Sequence, residues 1–117
     1  MARFPRCQRL TDPAEFRHVF ERPQRLGDRH VTVLVRRNDR ACARLGLAVG
    51  RRKMPRSPDR STFKRVVRES FRAHQDEIAG YDVVVLPKPA AATAERSALR
   101  ASIDRQWDIL RRRSAAG

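Results

Sequence analysis

Acidic residues are scarce in this sequence. Thirteen Asp and Glu stand against 27 Lys and Arg, leaving a net charge of +14 and a pI near 11.6. A surface that balances its own charge is excluded, and a phosphate-rich partner is implied. Cysteine is nearly absent. Cys7 and Cys42 form no C-x-x-C pair, which argues against a zinc site, and their contexts point to free thiols in a reducing compartment. No apolar run approaches the roughly 20 residues needed to span a bilayer. The opening MARFPRCQRL lacks the apolar centre of a signal peptide. The apolar helix face that a peripheral protein lays into lipid is missing as well. A cytoplasmic protein without a membrane partner is expected.

Recognisable catalytic equipment is missing too. His18, His30 and His74 have no evident serine or cysteine nucleophile beside them, and His74 sits among apolar helix positions, where it reads as a packing residue. Asp and Glu are scattered without metal-ligand spacing. No Gly-rich phosphate loop occurs. Ser57, Ser61 and Thr62 lie near a helix start, where hydroxyls usually cap. The protein is expected to hold no active site and no metal of its own.

What is present is concentrated. Residues 51–72 (RRKMPRSPDRSTFKRVVRESFR) hold nine basic residues against Asp59 and Glu69, a net +7 and half of the chain's total. At 100° per residue, Phe63, Val66, Val67, Ser70, Phe71, His74 and Ile78 share one helical face. Arg60, Lys64, Arg65, Arg68 and Arg72 project from another. Such a helix can pack on a sheet and still offer cations to a polyanion, whereas a merely solvated face mixes its signs. Disorder, the other source of high charge, is argued against by apolar segments of regular period.

With 117 residues the chain is expected to be one domain, residues 1–117, burying roughly 65% of its unfolded surface. Residues 1–11 read as a basic, irregular lead-in. Asp12-Pro13-Ala14-Glu15 opens a short helix, with Asp12 as cap and Glu15 closing a capping box. Phe16 and Phe20 share a face of it beside Val19, a spacing that by itself favours core packing. Residues 22–29 read as a turn-rich connection. Val31, Val33 and Val35 alternate as in a strand, and Asn38-Asp39-Arg40 begins a hairpin loop. The next strand alternates Leu45, Leu47 and Val49 with Gly46, Ala48 and Gly50, which marks either a close approach or a bulge. Ser57 caps the basic helix, which runs to about Glu77 before Gly80. YDVVVL (81–86) does not alternate, as expected of a central strand covered on both faces. Thr93 caps a last helix carrying Leu99, Ile103, Trp107 and Leu110 at helical spacing. The result is an α+β sandwich with helices on a small mixed sheet.

Four stretches, FRHVF (16–20), RLGLAVGRRK (44–53), FKRVVRESFR (63–72) and YDVVVLPKP (81–89), resemble the bacterial ribonuclease P protein family over nearly the whole chain. The resemblance implies the order α-β-β-β-α-β-α with a left-handed βαβ crossover, against the usual hand. It implies the protein subunit of an endoribonuclease that removes the 5′ leader of precursor tRNA. The catalytic ribonuclease P RNA performs the hydrolysis, with Mg2+ held mainly by RNA and substrate, and no protein partner is required. Phe16 and Phe20 then correspond to a leader-binding cleft. Arg51, Arg52 and Lys53 correspond to the basic segment entering it, and Arg60, Lys64, Arg65 and Arg68 to the signature helix; Arg56 adds a cation between them. The sequence departs from the family's Arg-Asn-Arg signature, where Ser61 and Thr62 replace the amide and second guanidinium with short, uncharged hydroxyls. Two other readings compete: a non-catalytic RNA-binding or ribosome-assembly module of related fold, and a DNA-binding protein. The latter lacks base-reading side chains on its long helix beyond Gln75.

Overall fold

The computed structural model describes residues 9–116. Its first helix, α1 (Pro13–Val19), starts where Asp12 accepts the Ala14 N–H at 2.8 Å, with Pro13 in the first turn, where a missing N–H costs nothing. Glu15 does not close a capping box; its carboxylate goes to Arg44 instead. Strands β1 (Gln24–Gly27), β2 (Val31–Arg37) and β3 (Arg44–Leu47) follow, then α2 (Ser57–His74), β4 (Tyr81–Pro87) and α3 (Arg96–Ala116). Short 3-10 turns cover Gln75–Ile78 and Pro89–Ala92.

The sheet order is β1-β2-β4-β3. β1 and β4 each pair antiparallel with β2, and β3 pairs parallel with β4. A parallel pair needs a long crossover, and α2 is that crossover, so the helix of the basic 51–72 stretch is also the element that closes the sheet. β4 is central, as its unbroken apolar run foretold. Val83 and Val85 face α2 and α3, while Val84 faces α1.

Period-two alternation divides the side chains between two layers. On one face Val31, Val33, Val35, Val83 and Val85 pack with Phe63, Val66, Val67 and Phe71 of α2 and with Leu99, Ile103, Trp107 and Leu110 of α3. Trp107 meets Phe71 edge-on at 6.0 Å, and its indole N–H donates to Ser70 at 2.8 Å. An aromatic pair of this kind adds about 0.5–1.5 kcal/mol to simple burial. On the other face Leu34 and Val84 pack with Leu10 and Val19.

Several local expectations are corrected. Gln24–Gly27 is an edge strand inside the supposed connection; only Leu26 turns inward, too little pattern to read. The Asn38–Arg40 turn joins β2 to β3, but β4 lies between them, so it is not a hairpin loop. β3 ends at Leu47. α2 is capped at Arg56, without a side-chain bond, rather than at Ser57, and its α-helical part stops at His74. Thr93 closes the second 3-10 turn, and α3 starts three residues later. His74 is half-buried, but its ring meets Glu77 at 3.3 Å and Asp104 at 3.5 Å, so it packs through polar contacts. Cys42 is disulfide-bonded rather than a free thiol; Cys7 lies outside the described residues.

Candidate nucleic-acid interface

α2 buries Phe63, Val66, Val67, Ser70 and Phe71. That fixes its rotation, leaves Arg65, Arg68 and Arg72 exposed and Lys64 half-buried. Arg51, Arg52, Lys53 and Arg56, in the segment before it, are exposed as well. Ion pairs among the described residues take up Arg40, Arg44, Arg100, Arg105, Arg111 and Arg112. They take up none of the nine basic residues between 51 and 72. Fixed charges of one sign that outnumber their neighbouring acids and form no ion pair with them raise the potential along the belt.

Arg60, like Lys64, is only partly exposed. Its guanidinium donates to the carbonyls of Met54 (2.8 Å) and Pro55 (3.0 Å). It is half-buried and ties the basic segment to the first turn of α2. Beside it Ser61 lines a shallow depression of about 400 Å³ with Lys64, Arg65, Glu69 and Arg72. Thr62 is half-buried and does not line it.

Across the sheet, Val19 is fully buried and anchors α1. The two phenylalanines beside it part company. Phe16 is half-buried over β3, where a Cβ on Gly46 would lie only 2.7 Å from its ring; the glycine serves a close approach by a side chain. Phe20 is 45% exposed, and the ring centroids are 5.7 Å apart. Ala48 and Leu86 pack into the same cluster as Phe16. They also floor a depression of about 420 Å³ lined by Arg52 and Lys53. An apolar floor therefore leads from Phe16, which Phe20 adjoins, to the basic segment.

Both ends of α1 are held by arginines from the sheet. Arg44, itself buried, makes a bidentate contact with Asp82 (2.8 and 2.7 Å) and donates to Glu15 at 2.7 Å. Hydrogen bonding to Asp82, opposed by burial and reinforced by Glu15, holds Arg44 still further toward its charged form. Asn38 completes the shell, donating to Asp82 at 2.9 Å. At the other end Arg36 donates to the Glu21 carbonyl. The sequence showed no sign of this clamp. Residues 44 and 82 meet only through the β3–β4 register, and no local pattern reports register.

Among the described residues, no group of three or more His, Cys, Asp or Glu could hold a metal ion, and no helix is long and apolar enough to cross a membrane. Fold and surface together define a basic α+β protein that presents one uncompensated cation belt beside an aromatic-edged floor. The ribonuclease P family profile matches residues 4–111. The ribonuclease P protein component of Thioalkalivibrio sulfidiphilus is 44% identical over 104 residues, covering 89% of this chain and 87% of that protein. That of Methylococcus capsulatus is 43% identical over 110 residues, covering 94% and 86%. The solved RNase P protein of Thermotoga maritima superposes with a TM-score of 0.75 at 28% identity, covering 90% of this chain and 96% of that one. The chain belongs to the ribonuclease P protein family, and the endoribonuclease of which such proteins are a component matures tRNA.

Proposed function

We propose that this chain binds RNA on two connected surfaces of a single unit and leaves the chemistry to its RNA partner. The observation that carries the reading is the belt of nine cations at 51–72 without a salt bridge among the described residues, beside a floor edged by Phe16 and Phe20. The precursor tRNA 5′ leader lies on that floor, with bases against the two rings and phosphates toward Arg51, Arg52 and Lys53. Aromatic stacking of this kind is tolerant of sequence and worth about 1–3 kcal/mol per base. Lys64, Arg65 and Arg68 face the phosphates of the catalytic ribonuclease P RNA, and Arg56 extends the belt. Arg60, held by two carbonyls, shapes the segment more than it reaches outward.

Magnesium, held mainly by RNA and substrate, supplies charge stabilisation for phosphodiester hydrolysis. The protein's residues bind, orient and screen charge. Such work belongs in the cytoplasm, where tRNA precursors are. The test is reconstitution. Protein alone should leave precursor tRNA intact, and protein with the catalytic RNA and magnesium should cleave it and bind precursor more tightly than mature tRNA. Cleavage by protein freed of all RNA would overturn the division of labour. Equal affinity for precursor and mature tRNA would remove the leader from the floor.

A further inference from the structure

The outer edge of β3 opens on a groove of about 300 Å³ that is separate from the floor at Ala48 and Leu86. β3 is the last strand of the sheet. Ala48 turns its N–H inward to Val85 at 3.1 Å, so alternation turns the peptide groups of Leu45 and Leu47 outward. The Leu45 carbonyl accepts the Leu10 N–H at 3.0 Å, and Leu47 lies further along the same edge. One wall is cationic: Arg9 from the lead-in, and Lys64, Arg68 and Arg72 from α2. The other wall includes the ring of Phe16. None of the described lining residues is acidic, and the four cations take part in no ion pair among the described residues.

We propose that this groove is a mononucleotide site, which takes one unstacked nucleotide of a single-stranded RNA. Its volume sits at the small end of ligand clefts, roughly 300–1,000 Å³, room for one nucleotide and too little for a duplex. Arg9 and Arg72 receive the phosphate, and Lys64 and Arg68 border both this groove and the face turned to the catalytic RNA. The base lies against Phe16 and Leu47, beyond the point where Arg9 bridges Leu45 on the strand edge, and the Leu47 peptide group is offered to the polar edge of a base. Phe16 then separates two compartments, with the open floor on one side and this groove on the other. The proposal rests on the RNA-binding reading above and adds to it a position, a stoichiometry and two residues, Arg9 and Arg72, which the family pattern did not single out.

The test uses the full chain and a 5′-phosphorylated tetrauridylate carrying one 4-thiouridine. Affinity is read by fluorescence anisotropy and contacts by photo-crosslinking and peptide mapping. Arg9→Ala and Arg72→Ala remove exposed side chains, and melting temperatures confirm that the fold is kept. Each should weaken binding about three- to tenfold and lower the salt slope by about 0.7, with crosslinks in the peptides holding Leu47 or Phe71. Parent-like affinity in both variants, with crosslinks confined to the 51–53 peptide, would overturn the site and leave the RNA-binding reading standing. Failure of the parent chain to bind the oligonucleotide at all would overturn that reading together with the site.

Discussion

α2 and α3 are both long, basic helices packed on one face of the same sheet, and they dispose of their charge in opposite ways. α2 carries five Lys and Arg against two acids, and α3 six against two, so by formal charge α3 is the more positive. Yet Arg100 pairs with Asp104, Arg105 with Asp28, and both Arg111 and Arg112 with Asp108. The cations of α2 have no such partners among the described residues, although Glu69 stands beside them. Neutralised cations cost little in self-repulsion and attract little, whereas unopposed ones cost stability and are retained where a polyanion will cover them. Net charge alone thus does not tell the two helices apart, and the pairing pattern sorts them into one with mostly paired cations and one whose cations are unpaired among the described residues.

The strongest way to sharpen that contrast is to damage each helix at its own task. Trp107 of α3 is fully buried, and Trp107→Ala should cost about 3–5 kcal/mol in thermal or denaturant unfolding. Trp107→Phe, which keeps most of the volume but loses the bond to Ser70, should cost less and leave RNA affinity at the parent value. Conversely, Arg65→Ala with Arg68→Ala should leave unfolding almost unchanged and reduce the salt slope of RNA binding by about 0.7 per phosphate lost. If Arg111→Ala with Arg112→Ala lowers that slope as much, the two helices do not differ in function and the contrast fails.

The next effect separates the two phenylalanines of α1. Phe20 stands out from the surface, so Phe20→Ala should change stability little and weaken precursor tRNA binding by about 1–3 kcal/mol, with mature tRNA unaffected. Phe16 packs over Gly46, so Phe16→Ala should lower the melting temperature as well as leader affinity. A parallel loss of affinity for precursor and mature tRNA in Phe20→Ala would show that this ring does not meet the leader.

Much of this organisation was written locally and therefore legible. The period of Phe63, Val66, Val67 and Phe71 fixes which way α2 turns, and with it which cations face outward. The unbroken run from Tyr81 to Leu86 marks the central strand. What escaped is what depends on distant pairing. β1 has one inward side chain and no period to find. The Asn38 turn resembles a hairpin until β4, some forty residues later, inserts beside β2. The Arg44–Asp82–Glu15 cluster joins three segments by register alone. Phe16 and Phe20 were ambiguous for the same reason, since a spacing of four says that two rings share a face but not what the face meets.

A smaller effect is expected at Ser61 and Thr62, where the family resemblance implies an amide and a guanidinium. Thr62→Arg restores a guanidinium on α2 and should tighten binding to the catalytic RNA by on the order of 1 kcal/mol through a charge-assisted phosphate contact. Ser61→Asn adds only an amide among cations already present and should gain less. The measurement is affinity for the catalytic RNA at two salt concentrations, because the Thr62→Arg gain should shrink as salt rises. No gain from either would place the RNA contact elsewhere on the belt, for example at the exposed Arg56.

The smallest effect tests whether pairing on the α3 side is structural. Asp28 joins the β1–β2 turn to α3. Its carboxylate accepts the backbone N–H groups of His30 at 2.9 Å and Val31 at 3.3 Å, the Ser102 hydroxyl, and Arg105 at 2.9 Å. Burial pushes its pKa up, but the bonds from Ser102, His30, Arg105 and Val31 together outweigh burial and hold it below the ordinary 3.8. The unfolded chain therefore takes up this proton at a higher pH than the folded one. The stability contributed by ionised Asp28 is fully present above pH 3.8 and is lost as pH falls through the lower, folded value. Asp28→Asn should flatten that part of the stability–pH curve while leaving the neutral-pH affinity for RNA unchanged. Subtracting the two curves removes the other carboxylates, including Asp108, which Arg111 also holds low. Curves that stay parallel from pH 6 to pH 2 would show that Asp28 does not stabilise the α3 side through its charge.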